Sequence, residues 1–269
     1  MGEGLDGPLP SLPQIRIAPA KPALEPRTSE RGLCPRNPVL GGGREKHAAG
    51  VRRPSEGGRS PPPSVMNVLA IGAHPDDIEY GCGGMLTKYA QRGHDVYLFV
   101  ASDGALGGDG AVRRQEQMDS SMIIGAREVF WGEYPDTEIP LNRELIIRIE
   151  SVIKKIKPRM IFVHHFDDTH QDHRNLAQGT MSATRYVPNF LFYEGPTTQN
   201  FTPNCFTDVE KVLDKKLACL EAHRSQVAKT NIEDLTILEL AVSCANFRGI
   251  QARVKYAEAF QSVRLLLNL

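Results

Sequence analysis

From Met66 onward the chain alternates short apolar runs with longer amphipathic stretches, and this alternation restricts the fold more than any other feature. Residues 67–72 read as a strand, 82–92 as a helix, and 96–101 as a second strand entered through the turn Arg92-Gly93-His94-Asp95. A glycine-rich loop follows, then a helix over about 112–124, a strand at 128–131 and a helix over about 142–157. Ile146, Ile149, Ile153 and Ile156 form the expected buried stripe of that helix, and Pro158 stops it. Residues 160–164 read as a strand, 175–185 as a helix and 190–193 as a strand, and 208–269 adds two helices and a terminal strand. Strands separated by helix-length connections pair in parallel. The expectation is an α/β, Rossmann-like, doubly wound and mostly parallel sheet with helices on both faces, built as one domain over residues 66–269.

The first 65 residues have a different character. They hold 12 of the 19 prolines and 10 of the 24 glycines, with no sustained apolar periodicity, so they cannot bury enough surface to offset their ordering entropy. They read as a disordered, mildly basic head. A secretory leader would need a continuous apolar core, and an amphipathic transit helix would tolerate neither the prolines nor the acidic residues. Because globular character begins at Met66, two readings of the head stand side by side: a native extension, or translated sequence upstream of the natural start.

The formal net charge is zero, which gives no reason to expect nucleic acid as a partner, and no apolar run approaches the roughly 20 residues a membrane helix needs. The five cysteines, Cys34, Cys82, Cys205, Cys219 and Cys244, are odd in number and lack C-x-x-C spacing. They indicate reduced thiols and a cytoplasmic protein, with Cys244 expected as a small core residue.

Two histidine-aspartate clusters carry the chemistry. His74-Pro75-Asp76-Asp77 follows the first strand, and His170-Gln171-Asp172-His173 follows the strand at 160–164. In open α/β sheets, ligands bind beyond the carboxyl ends of the strands, so the clusters converge if those two strands are near neighbours. Two imidazoles and one carboxylate form a typical catalytic zinc set with a position left for water. His74, Asp77 and His173 suit the ligand roles. Asp76 is then free to take a proton from the water, His170 to protonate a leaving group or stabilise an oxyanion, and Asp172 to orient an imidazole. The plain alternative is an acidic pair capping a helix, with His94, His164, His165 and His223 as ordinary histidines. Residues 81–84 match no phosphate-binding glycine pattern and read as close packing of the first helix on the sheet, whereas residues 104–110 suit a mobile loop that closes over a ligand at the same sheet edge.

The segment at 73–84, together with His170-Gln171-Asp172-His173, resembles the LmbE-like or PIG-L family of zinc-dependent N-acetylglucosaminyl deacetylases. Arg113-Arg114-Gln115-Glu116 and the segments 221–226 and 255–260 are weaker matches to the same pattern. The resemblance implies zinc, with another divalent transition metal such as Fe2+ as the alternative, held by His74, Asp77 and His173, and Asp76 and His170 in proton transfer. It further implies an N-acetylated sugar conjugate as substrate, a homo-oligomer, and a substrate-contacting arginine that best matches Arg113. An i,i+3 surface ion pair between Arg113 and Glu116 is the competing reading of that residue. Many members carry Glu directly after the second aspartate, where this chain has Ile78 and then Glu79. A metal- or sugar-binding protein without turnover, and a deacylase of a different N-acyl metabolite, are the alternatives to the deacetylase reading.

Overall fold

The structure, a computed structural model, describes residues 65–266. The expected disordered head lies, apart from Val65, outside them, as does Cys34. The strands are β1 (Asn67–Gly72), β2 (Asp95–Ser102), β3 (Glu128–Tyr134), β4 (Met160–His164), β5 (Asn189–Tyr193), β6 (Cys205–Asp208) and β7 (Ala257–Arg264). The helices are α1 (Asp77–Gln91), α2 (Gly110–Ile124), α3 (Arg143–Ile156), α4 (Gln171–Ala183), α5 (Leu213–Ala222) and α6 (Ile237–Ala252). One sheet runs in the order β3-β2-β1-β4-β5-β7-β6. Its first five strands are parallel, and β7 is antiparallel to both β5 and β6. No helix among the described residues is long and apolar enough to cross a membrane.

Both faces of the sheet are buried, which is why its central strands are continuously apolar rather than alternating. On one face Leu69, Ile71, Phe99, Ile161 and Val163 pack against Leu145, Ile149 and Val152 of α3 and Leu176 of α4. On the other, Val68, Ala70, Leu98, Val100 and Phe162 pack against Ile78 and Leu86 of α1, Ile124 of α2 and Cys219 of α5. The stripe of α3 is rotated from its expected position: Leu145, Ile149, Val152 and Ile156 are buried, while Ile146 and Ile153 flank it half-buried. Cys244 is likewise half-buried, on a satellite cluster beside Tyr80 and Leu220.

Two helices begin earlier than their apolar patterns indicated. Helix α1 starts at Asp77 but breaks at Cys82 (φ −146°, ψ 15°), so the regular pattern from Cys82 onward marks only its second half. The break is satisfied by a buried ion pair. Lys216 donates to the Tyr80 carbonyl (2.5 Å) and meets Glu258 (2.6 Å), whose carboxylate accepts the N–H groups of Gly84 (2.8 Å) and Met85 (2.7 Å). Gly81 lies so close to the Tyr193 ring that a Cβ there would overlap it, and one at Gly84 would fall 2.8 Å from Val209. These glycines serve helix packing, as expected. Helix α4 starts at Gln171 because the His170 side chain caps it, accepting the Asp172 N–H.

Strands β1 and β4 are neighbours, with Val68 opposite Met160 and Ala70 opposite Phe162. Strand β1 leads outward to β2 and β3, while β4 leads the other way to β5, so the chain reverses its direction of winding between them. A crevice opens at such a point beyond the strand ends. The loops carrying His74–Asp77 and His170–His173 flank it.

Candidate metal centre

His74, Asp77 and His173 each place one donor atom within 4.8 Å of the others. Asp77 lies at their middle. Its Oδ2 accepts the His74 backbone N–H (2.7 Å) and lies 3.3 Å from His74 Nδ1, and its Oδ1 lies 3.4 Å from His173 Nε2. The outer nitrogens are backed by other carboxylates. His74 Nε2 faces Asp136 (3.0 Å) and Asp172 (3.1 Å), and His173 Nδ1 faces Asp168 (3.3 Å).

Asp172 is itself fixed, accepting the N–H groups of Thr137 (2.8 Å) and Ile139 (3.1 Å). Asp168 is fixed by the His170 N–H (2.8 Å) and the hydroxyls of Thr197 (2.7 Å) and Thr198 (3.0 Å). An imidazole that gives its outer nitrogen to a rigid carboxylate presents the inner one as a lone pair, the usual arrangement behind a metal ligand.

The electrostatics agree. Burial acts to lower the pKa of His74, but hydrogen bonds to Asp136, Asp172 and Asp77 outweigh it and hold the value well above the ordinary range. His173 is raised to about 9, the Asp77 charge and the contacts with Asp168 and Asp77 overcoming burial. Asp77, despite burial, is held well below the carboxylate range by His173 and His164. The carboxylates therefore outweigh the fixed positive charge around these imidazoles, and the chemistry of the donor set fits a divalent cation. A second grouping, His74 with His170 and Asp172, has the same proximity. In that grouping Asp172 already accepts the N–H groups of Thr137 and Ile139, and His170 Nδ1 accepts the Asp172 N–H (3.2 Å).

Asp76 lies beside the group in a left-handed conformation (φ 93°, ψ −23°), which for a non-glycine residue costs on the order of 1–3 kcal/mol. Burial first, and the neighbouring Asp77 charge second, raise its carboxyl to about 6. Because His170 Nδ1 accepts a hydrogen bond, the neutral ring carries its proton on Nε2. Burial and the charge on His173 lower its pKa and favour that neutral form. Arg113 is buried, so it does not form the surface ion pair with Glu116. Its Nη1 donates to Gly104 O (2.6 Å) and its Nη2 to Pro75 O (2.8 Å), while Glu116 accepts from Ser225 N (2.8 Å) and Oγ (2.7 Å).

These side chains line a cleft of about 380 Å³ whose walls include His74, Asp76, Asp77, Arg113, Asp136, His170 and His173. Leu106 and Gly107 of the glycine-rich loop and Gln226 and Lys229 complete its outer part. Gln226 (3.4 Å) and Lys229 both donate to the Gly107 carbonyl. Asp136 and Asp168 belong to the site without having been expected there. His164 and His223 are likewise buried; His164 stacks on His173 (centroids 3.9 Å apart) and accepts the Ala73 N–H (3.1 Å).

The chain is 37% identical over 167 residues to the uncharacterized deacetylase YaiS of Escherichia coli, matching 59% of this chain and 90% of that protein. Residues 69–184 match the model of the PIG-L family, GlcNAc-PI de-N-acetylase. The chain belongs to the PIG-L (LmbE-like) family. A second family relative, the diacetylchitobiose deacetylase of Thermococcus kodakarensis, is 30% identical over 188 residues, covering 60% of this chain and 70% of the relative. The fold also resembles that of N,N'-diacetylchitobiose deacetylase from Pyrococcus horikoshii, at a TM-score of 0.65 and 25% identity, over 74% of this chain and 84% of that one. The PIG-L match spans β1 through α4, and so includes both histidine-aspartate loops.

Proposed function

We propose that this PIG-L family member is a metal-dependent hydrolase that removes the acetyl group from an N-acetylglucosamine-containing conjugate, giving acetate and the free amine. The observation that carries the reading is the His74–Asp77–His173 group opening on a cleft that also exposes Asp76 and His170. His74 through Nδ1, Asp77, and His173 through Nε2 would hold the cation, zinc or another divalent transition metal such as Fe2+. Bound there, it would polarise the amide carbonyl and bring the pKa of a coordinated water to about 7.

The chain's own residues then supply the proton chemistry. Asp76, which lines the cleft beside the group, takes the proton of the attacking water. His170 offers its Nε2–H to the carbonyl oxygen as negative charge builds on it, which makes it an oxyanion donor in this geometry. Proton return to the departing nitrogen is assigned to Asp76. Asp168 and Asp172 hold the two imidazoles in the tautomers that ligation needs. Arg113 and Asp136 face the sugar from the cleft wall.

The test is acetate release from a panel of N-acetylglucosamine conjugates, diacetylchitobiose among them, by zinc-loaded protein. Asp76→Ala should lower kcat by about 10²- to 10⁴-fold with zinc content unchanged. Equal rates for the two proteins would remove Asp76 from the mechanism. Binding of zinc and N-acetyl sugars with no acetate released from any conjugate would favour a binding protein without turnover.

A further inference from the structure

The left-handed backbone of Asp76 needs something to hold it. Its own side chain makes no capping hydrogen bond, and the first helical bond, from Tyr80 N to Asp76 O (3.0 Å), fixes only the far side of the residue. The φ angle is set on the near side, by the orientation of the Pro75–Asp76 peptide. That peptide is gripped through its carbonyl, which accepts from Arg113 Nη2 (2.8 Å). The same guanidinium is anchored by Nη1 on Gly104 O (2.6 Å), and its Nη2 lies 3.7 Å from Asp76 Oδ2.

Gly104 has φ +69°, and any Cβ there would occupy the space of the guanidinium. The glycine-rich loop is thus shaped around Arg113. One buried guanidinium ties the loop after β2 to the peptide preceding the proposed base.

We infer that Arg113 is the positioning residue for Asp76, fixing the carboxylate's direction through the Pro75 carbonyl, whatever further contact it makes with the sugar. The inference rests on the assignment of Asp76 as base, but the conformational part can be read without turnover.

The experiment combines kinetics with a structure. In the zinc-loaded protein Arg113→Ala should lower kcat for acetate release by about 10- to 100-fold, the scale of an ångström-sized misplacement. Added to Asp76→Ala it should lower kcat no further, because the two changes remove one function. Guanidinium in the buffer should restore part of the rate to Arg113→Ala. A crystal structure of zinc-loaded Arg113→Ala should show Asp76 out of the positive-φ region with His74, Asp77 and His173 in place. Should that variant not fold, Gly104→Ala, which displaces the guanidinium without removing it, serves for the same measurements. An unchanged kcat with raised KM, or losses that multiply in the double variant, would overturn the inference. So would an unmoved Asp76 φ, and this last readout is decisive even if no conjugate yields acetate and the deacetylase reading itself fails.

Discussion

At the level of single residues, the imidazoles of the site are held by carboxylates that do not line the cleft. Asp168 and Asp172 are buried, Asp168 accepts one backbone N–H and two hydroxyls, Asp172 two backbone N–H groups, and each faces the outer nitrogen of one imidazole. Replacing either by Asn keeps the shape but removes the charge that fixes the tautomer. Asp168→Asn and Asp172→Asn should each weaken zinc binding by about 10- to 100-fold, measured by competition with a chromophoric chelator. An unchanged affinity would mean that these carboxylates serve the loops alone. The candidate donors are legible in sequence because each cluster is local: His74 lies three residues from Asp77, and His170 three from His173. Asp136 and Asp168 were not, because what brings them to the imidazoles is strand order and the length of β3, which runs to Tyr134 rather than stopping at Trp131. The choice between a surface and a buried Arg113 also escaped the sequence, since R-x-x-E spacing is equally suited to an ion pair, and only the Gly104 loop and Ser225 reveal that both partners are engaged elsewhere.

Helix α1 shows how a secondary element can be correctly expected and wrongly bounded. Its apolar pattern runs regularly only after Cys82, because the first turn is given over to the metal-site loop and the break to Lys216 and Glu258. The information about that break sits more than a hundred residues downstream, where a lysine and a glutamate in separate elements have no local signature. Both side chains are almost fully buried. Lys216→Met leaves Glu258 charged and without its cation, so it should destabilise the fold by about 3–5 kcal/mol, read from urea denaturation. A loss below about 1 kcal/mol, the scale of an exposed pair, would contradict the buried-staple account. Gly81→Ala tests the packing at the same helix. A methyl group there has to displace the Tyr193 ring, whose hydroxyl donates to Ile71 O (2.8 Å) at the end of β1, so a cost of about 1–3 kcal/mol is expected. If Gly81→Ala is neutral in the same titration, the helix does not depend on that close approach.

For the whole molecule, the architecture was the most legible level, because parallel strands buried on both faces write continuous apolar runs and helices write their own period between them. The exception is β6, four residues at the sheet edge whose inner and outer sides are only half-buried or exposed, too short and too polar to declare itself. The winding reversal between β1 and β4 then brings two distant loops and their carboxylates together. Zinc at 100 times its Kd should stabilise the protein by about 2.7 kcal/mol, seen as a chelator-reversible rise in Tm. If His74, Asp77 and His173 hold one cation, acetate release depends on it. The most direct measurement strips the protein with chelator and follows acetate release from N-acetylglucosamine conjugates as zinc is titrated back. The rate should be lost on stripping and return in proportion to zinc up to one ion per chain, and His173→Ala should abolish the return. A stripped protein that releases acetate as fast as the reloaded one would contradict the claim.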